Sequence, residues 1–585
     1  MNANSGFLLG TAEADITPPH GLPMAGSLNP QDRLCVGTAY PLQVKAMVVA
    51  MAGERLAFAS FDLIALDEEN VREALSRIES ETGIPSSHVL WTCSHTHSGP
   101  VTPRKPSDMP LVDTAWVAKA MDTFADCVKR ADAAKKPASP FLSRGFVRNV
   151  MANRRDRFKG GVQTNNWLPP PEIQCLGSAA PVDPEVGVLG FETDGPPALL
   201  YNFACHANSA WGLKWHPDYP ATTAEQLKDA FAMFTPGACG DVNPTADVET
   251  FGKTLGAIIK DAVENRRQGL FPPELGATRK FVELPLRVFD ASTEARLQAW
   301  PDPYFRKSFD DFKALGKTQE TTSLQVAHVG DVAFATAPGE LFVEHGLRIK
   351  RESPFPWTFP IELSGDSLGY LITQDAWNGG GYESIPSSSN RISPQGVDQM
   401  VDELIDMLHL LRRKQIFGRL FPREVEIKGG GERVIRPLRG ADAEALADFP
   451  AEDYFQPSAR EDALANAAKA ESNPYYACLI LEAPDKAIDG YAWYGWGRGA
   501  EKSGFGICLR RDHQRLGVGR KLMAALLEAA KLFGPPTMRL EVQPANAEAL
   551  ELHSALGFKK VGEIRRQGHG GLNYQMELRL AEFHP

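Results

Sequence analysis

Four strand-like apolar runs in this chain end at turns that carry a side chain able to ligate a metal or move a proton. The first, Val89-Leu90-Trp91, leads through Thr-Cys-Ser to His95-Thr-His97-Ser and the turn Gly99-Pro100. The others are Ala198 to Cys205-His206, Val332 to Pro338-Gly339-Glu340, and Gly379-Gly-Gly381 to Tyr382-Glu383. Strand ends beside glycine or proline are where α/β folds build their sites. Side chains at i and i+2 of a strand share a face, so His95 and His97 are expected to enter one pocket. One of them would hold a metal and the other would stand beside it as a proton carrier. A lone His-x-His is often no more than a polar strand end. The three further runs are what point to a metal.

Strand-like stretches (Ala46 to Met51, Leu56 to Phe61, Val89 to Thr92) alternate with helical patterns such as Glu68 to Thr82 and Thr114 to Arg130. That alternation predicts an α/β arrangement for the first part of the chain. A chain of 585 residues is too long for one hydrophobic core and divides into a large unit and an ordinary one. The flexible-looking joint is Gly429-Gly430-Gly431, which sets the expected domains at 1–428 and 429–585. A net charge of −11 argues against nucleic acid or an anionic membrane as partner, since both demand a basic surface. Eight cysteines without close pairs read as thiols in a reducing compartment rather than a disulfide frame. There is no basic region at the N-terminus and no apolar run of about 18 residues, so the expectation is a cytoplasmic protein without membrane insertion. Nothing in the sequence sets an oligomeric state.

An ordered series of motifs runs from about residue 10 to about residue 411. It comprises Asp15-Ile-Thr-Pro-Pro19, Ser94-His-Thr-His-Ser-Gly-Pro100, Asn153-Arg154, Val182-Asp-Pro-Glu-Val-Gly187, Cys205-His206, Gly240-Asp-Val-Asn-Pro244, Pro338-Gly-Glu340 and Gly381-Tyr-Glu383. In these motifs the chain resembles the catalytic domain of the neutral ceramidase family, zinc amidases that cleave an N-acyl bond. The resemblance implies that His95, His206, Glu340 and Tyr382 ligate Zn2+ and that His97, Arg154 and Asp241 serve catalysis beside it. Two imidazoles, a carboxylate and a phenol oxygen suit zinc's borderline character. His97 would carry the proton of the attacking water to the leaving amine, Arg154 would hold the developing oxyanion, and Asp241 would orient groups within its loop. Taken singly, His206 reads as well as a core histidine, Glu340 as a helix N-terminal carboxylate, Tyr382 as a packed aromatic and Arg154 as one of a group of arginines (Arg148, Arg154, Arg155, Arg157). Asn243 stands where the ceramidases carry a serine, and the immunoglobulin-like module of secreted ceramidases is replaced. Both departures point away from ceramide itself.

The replacement has its own signature. After a strand-like stretch from Val434, the run Leu509-Arg-Arg-Asp-His-Gln514-Arg515-Leu516-Gly517-Val518-Gly519-Arg520 precedes a helical pattern. Met538 to Gln543, Asn546, and Ala549 to His553-Ser-Ala-Leu-Gly557-Phe558 follow. This part, about residues 434 to 580, resembles the GNAT acyltransferase family and implies an α+β fold. Small residues let the backbone approach a pyrophosphate, and free N–H groups at a helix N-terminus bind its charge. The resemblance therefore implies that Gln514, Arg515, Leu516, Gly517, Val518, Gly519, Arg520 and Asn546 bind acetyl-CoA. His553 stands where the family usually has a tyrosine acid, and histidine can donate a proton near neutrality. The strand Gly504 to Cys508 offers no carboxylate, so the base is unassigned.

The expected whole is a zinc-dependent N-acyl amide hydrolase followed by an acetyl-CoA-dependent N-acetyltransferase, with a small-molecule amide and amine as substrates. Hydrolysis would free the amine that the second domain acylates. The alternative is a metal-dependent hydrolase or lyase of another metabolite, with the second domain as a binding or assembly module.

Overall fold

The computed structural model describes all residues except 1–5, 28–29, 103–110, 267–271, 289–290, 299–302, 315, 388–389, 429–430, 448, 450–458, 566–570 and 585. The chain divides into two compact units, Met1–Leu408 and His409–Pro585.

Three larger sheets frame the first unit. The five-stranded one runs Val89–Cys93, Glu54–Phe61, Gln43–Met51, Leu8–Asp15, Lys136–Pro137; one four-stranded sheet runs Phe231–Pro236, Ala198–Phe203, Glu185–Glu192, Ser139–Phe146; the other runs Leu275–Pro285, Gln319–Val329, Val332–Thr336, Trp357–Ile361. Strand alternation sorts side chains onto two faces. Val44, Ala46 and Val48 turn toward helices Glu68–Thr82 and Thr114–Ala133, where Val71, Leu75, Phe124 and Val128 meet them. Their neighbours Met47 and Val49 face the other way, into a core shared with Leu200, Met233, Phe334 and Phe359 of the two other sheets.

Each sheet contains one parallel pair: Glu54–Phe61 with Val89–Cys93, Ala198–Phe203 with Phe231–Pro236, and Val332–Thr336 with Trp357–Ile361. Parallel neighbours point their carboxyl ends the same way, and such ends are where α/β folds place ligands. The histidines at 95 and 206, Asp241 and Glu340 all lie a few residues beyond a strand of one of these pairs. The expected α/β class holds, as mixed rather than wholly parallel sheets.

The second unit is α+β, as expected. Its eight-stranded sheet runs Arg423–Glu426, Glu432–Pro437, Tyr476–Glu482, Ile488–Gly495, Lys502–Leu509, Thr537–Val542, Leu572–Arg579, Lys559–Arg565. The parallel pair Lys502–Leu509 and Thr537–Val542 is joined only at Lys502↔Thr537 and Ser503↔Met538. Beyond Ser503 the two strands part, and the sheet splays.

The glycine-rich joint needs correction. Gly429 and Gly430 lie outside the described residues, but the strands on either side of them, Arg423–Glu426 and Glu432–Pro437, pair antiparallel. Residues expected upstream of the boundary thus belong to the second unit's sheet, and Ile416, Phe417 and Phe421 are buried in its core. Among the described residues no helix is long and apolar enough to cross a membrane. All eight cysteines are free thiols; six are buried, Cys508 is intermediate and Cys175 is exposed.

Candidate functional site

Strand Val89–Cys93 ends two residues before His95, so the pair at 95 and 97 does not converge by strand periodicity. His95 has a φ of 65°, a left-handed conformation that costs a non-glycine residue energy and persists where its surroundings hold it. Its N–H donates to the Leu63 carbonyl (2.9 Å), and the His97 N–H donates to that of Ala207 (3.1 Å). The turn swings the rings of His95 and His97 edge to face at 5.0 Å, with the His206 ring 4.6 Å from the first and 5.8 Å from the second.

Every ring is fixed by a backbone carbonyl. His95 Nδ1 lies 2.9 Å from the Ile64 oxygen, His97 Nδ1 3.2 Å from that of Gly26, and His206 Nδ1 2.6 Å from that of Cys239. A carbonyl only accepts, so each Nδ1 carries a proton and Nε2 is the nitrogen that each ring turns inward. Glu340 Oε2 lies 3.3 Å from both His95 Nε2 and His206 Nε2. Three imidazole nitrogens gather within 4.8 Å of one another. His95 Nε2, His97 Nε2 and Glu340 Oε2 are buried and make no hydrogen bond among the described residues. Burial pushes the His206 imidazole down to about 4, with Arg154 adding to the shift. Burial also holds His97 well below its ordinary value. For Glu340, burial alone would raise the carboxyl, yet His95 and His206 hold it well below the usual carboxylate range. Burial would lower the His95 imidazole, yet the Glu340 carboxylate raises it. Imidazoles gathered around an ionised carboxylate are a donor set for a divalent cation, and the residues present fit zinc.

Arg154 crosses the site. Its Nε donates to Glu383 Oε1 (2.8 Å), and its Nη1 lies 3.1 Å from His206 Nε2 and 3.4 Å from Asn243 Oδ1. Nη2 is buried and makes no hydrogen bond among the described residues. The rings of Trp167 and Tyr370 flank the guanidinium at 5.3 and 5.1 Å, and the Tyr382 ring stands against both, at 6.2 and 5.7 Å. On the other side, the exposed Trp211 ring lies 6.2 Å from His97 and 3.9 Å from the Arg33 guanidinium.

Asp241 acts through its loop. Its carboxylate accepts from the Val343 N–H (2.9 Å) and from Asn153 Nδ2 (2.7 Å), while its carbonyl accepts from the Arg154 N–H (2.8 Å). Both oxygens are committed, so the residue fixes the loop that bears Arg154 and the start of helix Val343–Glu352. Glu383 went unassigned in the sequence although it sits in the Gly-Tyr-Glu motif. It is the fully buried counter-ion of Arg154 and Arg155, and Asn165 also donates to it. Gly26 and Cys239 were missed because they act through backbone carbonyls, for which side-chain chemistry gives no signal. A Cβ on Gly26 would stand 2.4 Å from the His97 ring, and one on Gly240 would stand 2.5 Å from the Glu340 carbonyl. Both glycines are therefore conditions of the site's closeness.

In the second unit a cavity of about 800 Å³ lies where the sheet splays, and Gln514, Arg515, Gly517, Gly519, Arg520 and Asn546 line it. Arg515 and Gly517 adopt left-handed φ values of 61° and 81°. The turn they make presents the first N–H groups of helix Val518–Phe533, which have no intrahelical partner and suit an anion. Of the other expected cofactor residues, Val518 is buried in the core, and Leu516 gives its carbonyl to the Lys428 N–H (3.2 Å). Asn546 caps helix Ala547–Ala555 by accepting from the Ala549 N–H.

His553 does not face this cavity. It is 5% exposed and packs edge-on against Phe558 at 5.7 Å, and burial pushes it down to about 4. A buried ring held toward its neutral form and set against Phe558 does not suit the acid role that the resemblance implied. Because the unfolded chain takes up a proton near pH 6.5 and the fold does so only near 4, this residue's contribution to stability is expected to be present above 6.5 and lost as pH falls through that window. Urea melts of the wild type and of His553→Phe at pH 7 and 5 check this: the variant should show the weaker pH dependence. An altered pH profile of acetyl transfer near neutrality in that variant would restore the acid role.

Comparison with known proteins agrees with both halves. Residues 443–558 match the acetyltransferase (GNAT) family. Over 62 residues the chain is 40% identical to the [ribosomal protein bS18]-alanine N-acetyltransferase of Escherichia coli K12, covering 11% of this chain and 41% of the relative. Over 99 residues it is 30% identical to the L-amino acid N-acyltransferase MnaT of the same strain, covering 16% and 56%. The chain thus spans about half the length of these relatives. Among solved structures it is similar to the neutral ceramidase from Pseudomonas aeruginosa, with a TM-score of 0.54 and 15% identity over 86% of this chain and 92% of the other. At that identity the likeness is one of fold. The chain therefore pairs a neutral ceramidase fold with a GNAT acetyltransferase domain at its C-terminus.

Proposed function

We propose that the first unit is a zinc-dependent hydrolase of an N-acyl amide, and that the second transfers acetyl from acetyl-CoA to an amine. The observation that carries the first reading is the convergence of carbonyl-fixed imidazoles on the Glu340 carboxylate, an arrangement of acceptors that calls for a cation. His95, His206 and Glu340 would hold the metal, with Tyr382 completing the set from the Trp167–Tyr370 side. When bound, zinc supplies a Lewis acid and an acidified water at neutral pH. Arg154 brings a fixed positive charge and a free Nη2 donor to the place where negative charge develops on the amide oxygen. Glu383 and Arg155 keep that guanidinium from swinging away. His97, neutral and with Nε2 inward, is poised to accept the water proton and return it to the departing amine. Trp211 and Trp167 flank the site with apolar surface, which suits an acyl chain or ring on the substrate.

His97→Ala separates proton transfer from ligation. Zinc content should persist while turnover falls by about 10²-fold or more. Loss of the metal in this variant would make His97 a third imidazole ligand.

In the second unit, the left-handed turn and the helix N-terminus beside the 800 Å³ cavity are the binding site proposed for the cofactor's pyrophosphate. Amide hydrolysis releases an amine and acetyl transfer consumes one, so we propose that the two reactions act in sequence on one metabolite. The burial of His553 favours a second reading, in which this unit retains cofactor without turnover. The test is metal analysis of the purified protein together with mass spectrometry of small-molecule extracts incubated with it, with and without acetyl-CoA. Sequential action predicts an acetylated product that appears only with the cofactor and only with an intact metal site. Retained acetyl-CoA without any product supports the binding reading.

A further inference from the structure

Behind the imidazoles lies a carboxylate that the proposed reaction does not use. Glu362 follows strand Trp357–Ile361, one of the parallel pair in its sheet, and is fully buried. Its Oε2 accepts from the Cys239 N–H (3.0 Å) and from the Leu341 N–H (2.9 Å), and the Cys239 thiol donates to its Oε1 (2.9 Å). Its carbonyl accepts from Thr92 Oγ1 (2.7 Å). Each partner stands next to an arm of the candidate metal centre. Cys239 is the residue whose carbonyl fixes His206 Nδ1, Leu341 follows Glu340, and Thr92 lies in the strand that leads to His95. One side chain thus ties the His206 loop to the Glu340 loop, and its backbone ties both to the His95 strand.

We propose that Glu362 is a positioning residue that sets the spacing between His206 and Glu340, and so the metal affinity of the site, by holding the Cys239 and Leu341 amides on one oxygen. The inference rests on the zinc reading of that site. Buried N–H groups left without an acceptor are costly, so removing this oxygen frees the two loops to find partners elsewhere. The distance of 3.3 Å from Glu340 to each imidazole then relaxes. Outer groups that orient metal ligands typically cost about 10–100-fold in metal affinity when lost.

Three substitutions in the full chain separate placement of the oxygen from the ionisable group. Glu362→Gln keeps a carbonyl oxygen at the position that serves both amides and removes the ionisable carboxyl. Glu362→Asp keeps the carboxyl and draws the oxygens back by one methylene. Glu362→Ala removes both. Zinc affinity is read by competition against a chromophoric chelator, with circular dichroism to establish folding and apoprotein melting to register stability. The Gln variant should bind zinc within a few-fold of wild type, and the Asp and Ala variants about 10–100-fold more weakly. If the Ala variant does not fold, the contrast between Gln and Asp decides the matter. Wild-type affinity in a folded Asp variant would overturn the proposal, as would a Gln variant as damaged as Asp. Both outcomes leave the zinc reading intact, provided the wild type binds the metal. A wild type that binds no zinc overturns the zinc reading and this inference together.

Discussion

His206→Ala is expected to weaken zinc binding by more than about 100-fold and to bring amide hydrolysis to the background rate. His206 is fully buried, its Nδ1 is fixed by Cys239, and its Nε2 lies between Glu340 Oε2 and Arg154 Nη1. Alanine therefore removes a ligand from the middle of the set, and it leaves a carboxylate and a guanidinium on either side of a void. His95→Ala should act the same way, since Glu340 is equidistant from the two rings. Metal analysis after exhaustive dialysis, paired with hydrolysis assays, checks both. Full zinc occupancy in the double variant would sink the metal assignment. Chelator treatment of the wild type should reproduce the loss of activity, and added zinc should reverse it.

How much of this site could be read from the sequence depended on which atoms do the work. His95, His206 and Glu340 are legible because their side chains carry the chemistry and because each follows an apolar run into a turn. Their convergence was legible only as an expectation. The reason given for His95 and His97 entering one pocket, a shared strand face, fails because the strand stops at Cys93 and a left-handed residue turns the chain. Asp241 looked like a functional carboxylate, yet both its oxygens are taken by a helix start and an asparagine. Nothing in a linear sequence reveals that a carboxylate is already satisfied. His553 has the same lesson in reverse: its place ahead of Gly557-Phe558 was legible, but which way the ring faced was set by Phe558 across the interface. Glu362 had no motif to announce it, because its partners are backbone amides more than a hundred residues away in the case of Cys239.

The glycine-rich stretch is the other place where sequence and structure part, and it fixes what a separated second unit must contain. A fragment starting at Glu432 omits strand Arg423–Glu426, which pairs with Glu432–Pro437, and omits Ile416, Phe417 and Phe421 from the core. Burying such a side chain contributes about 1.5–3 kcal/mol, so the three together rival the ~5–15 kcal/mol by which whole domains are stable. The fragment from His409 is therefore expected to fold and bind acetyl-CoA, and the one from Glu432 to be unfolded or to melt far lower. Gly517→Glu in the longer fragment should then weaken acetyl-CoA by about 100-fold or more. Gly517 holds a φ of 81°, and a Cβ there meets nothing closer than the Lys428 side chain at 3.7 Å. The loss would thus come from a left-handed backbone that a glutamate adopts at a cost and from a carboxylate placed where N–H groups await an anion, rather than from collision. In the full chain the same substitution should leave zinc content and amide hydrolysis unchanged. Calorimetric titration with acetyl-CoA and metal analysis of the two proteins make the comparison. Unaltered cofactor affinity would move the pyrophosphate site away from this turn, and a fall in hydrolysis would show that the two units do not act as separate catalysts.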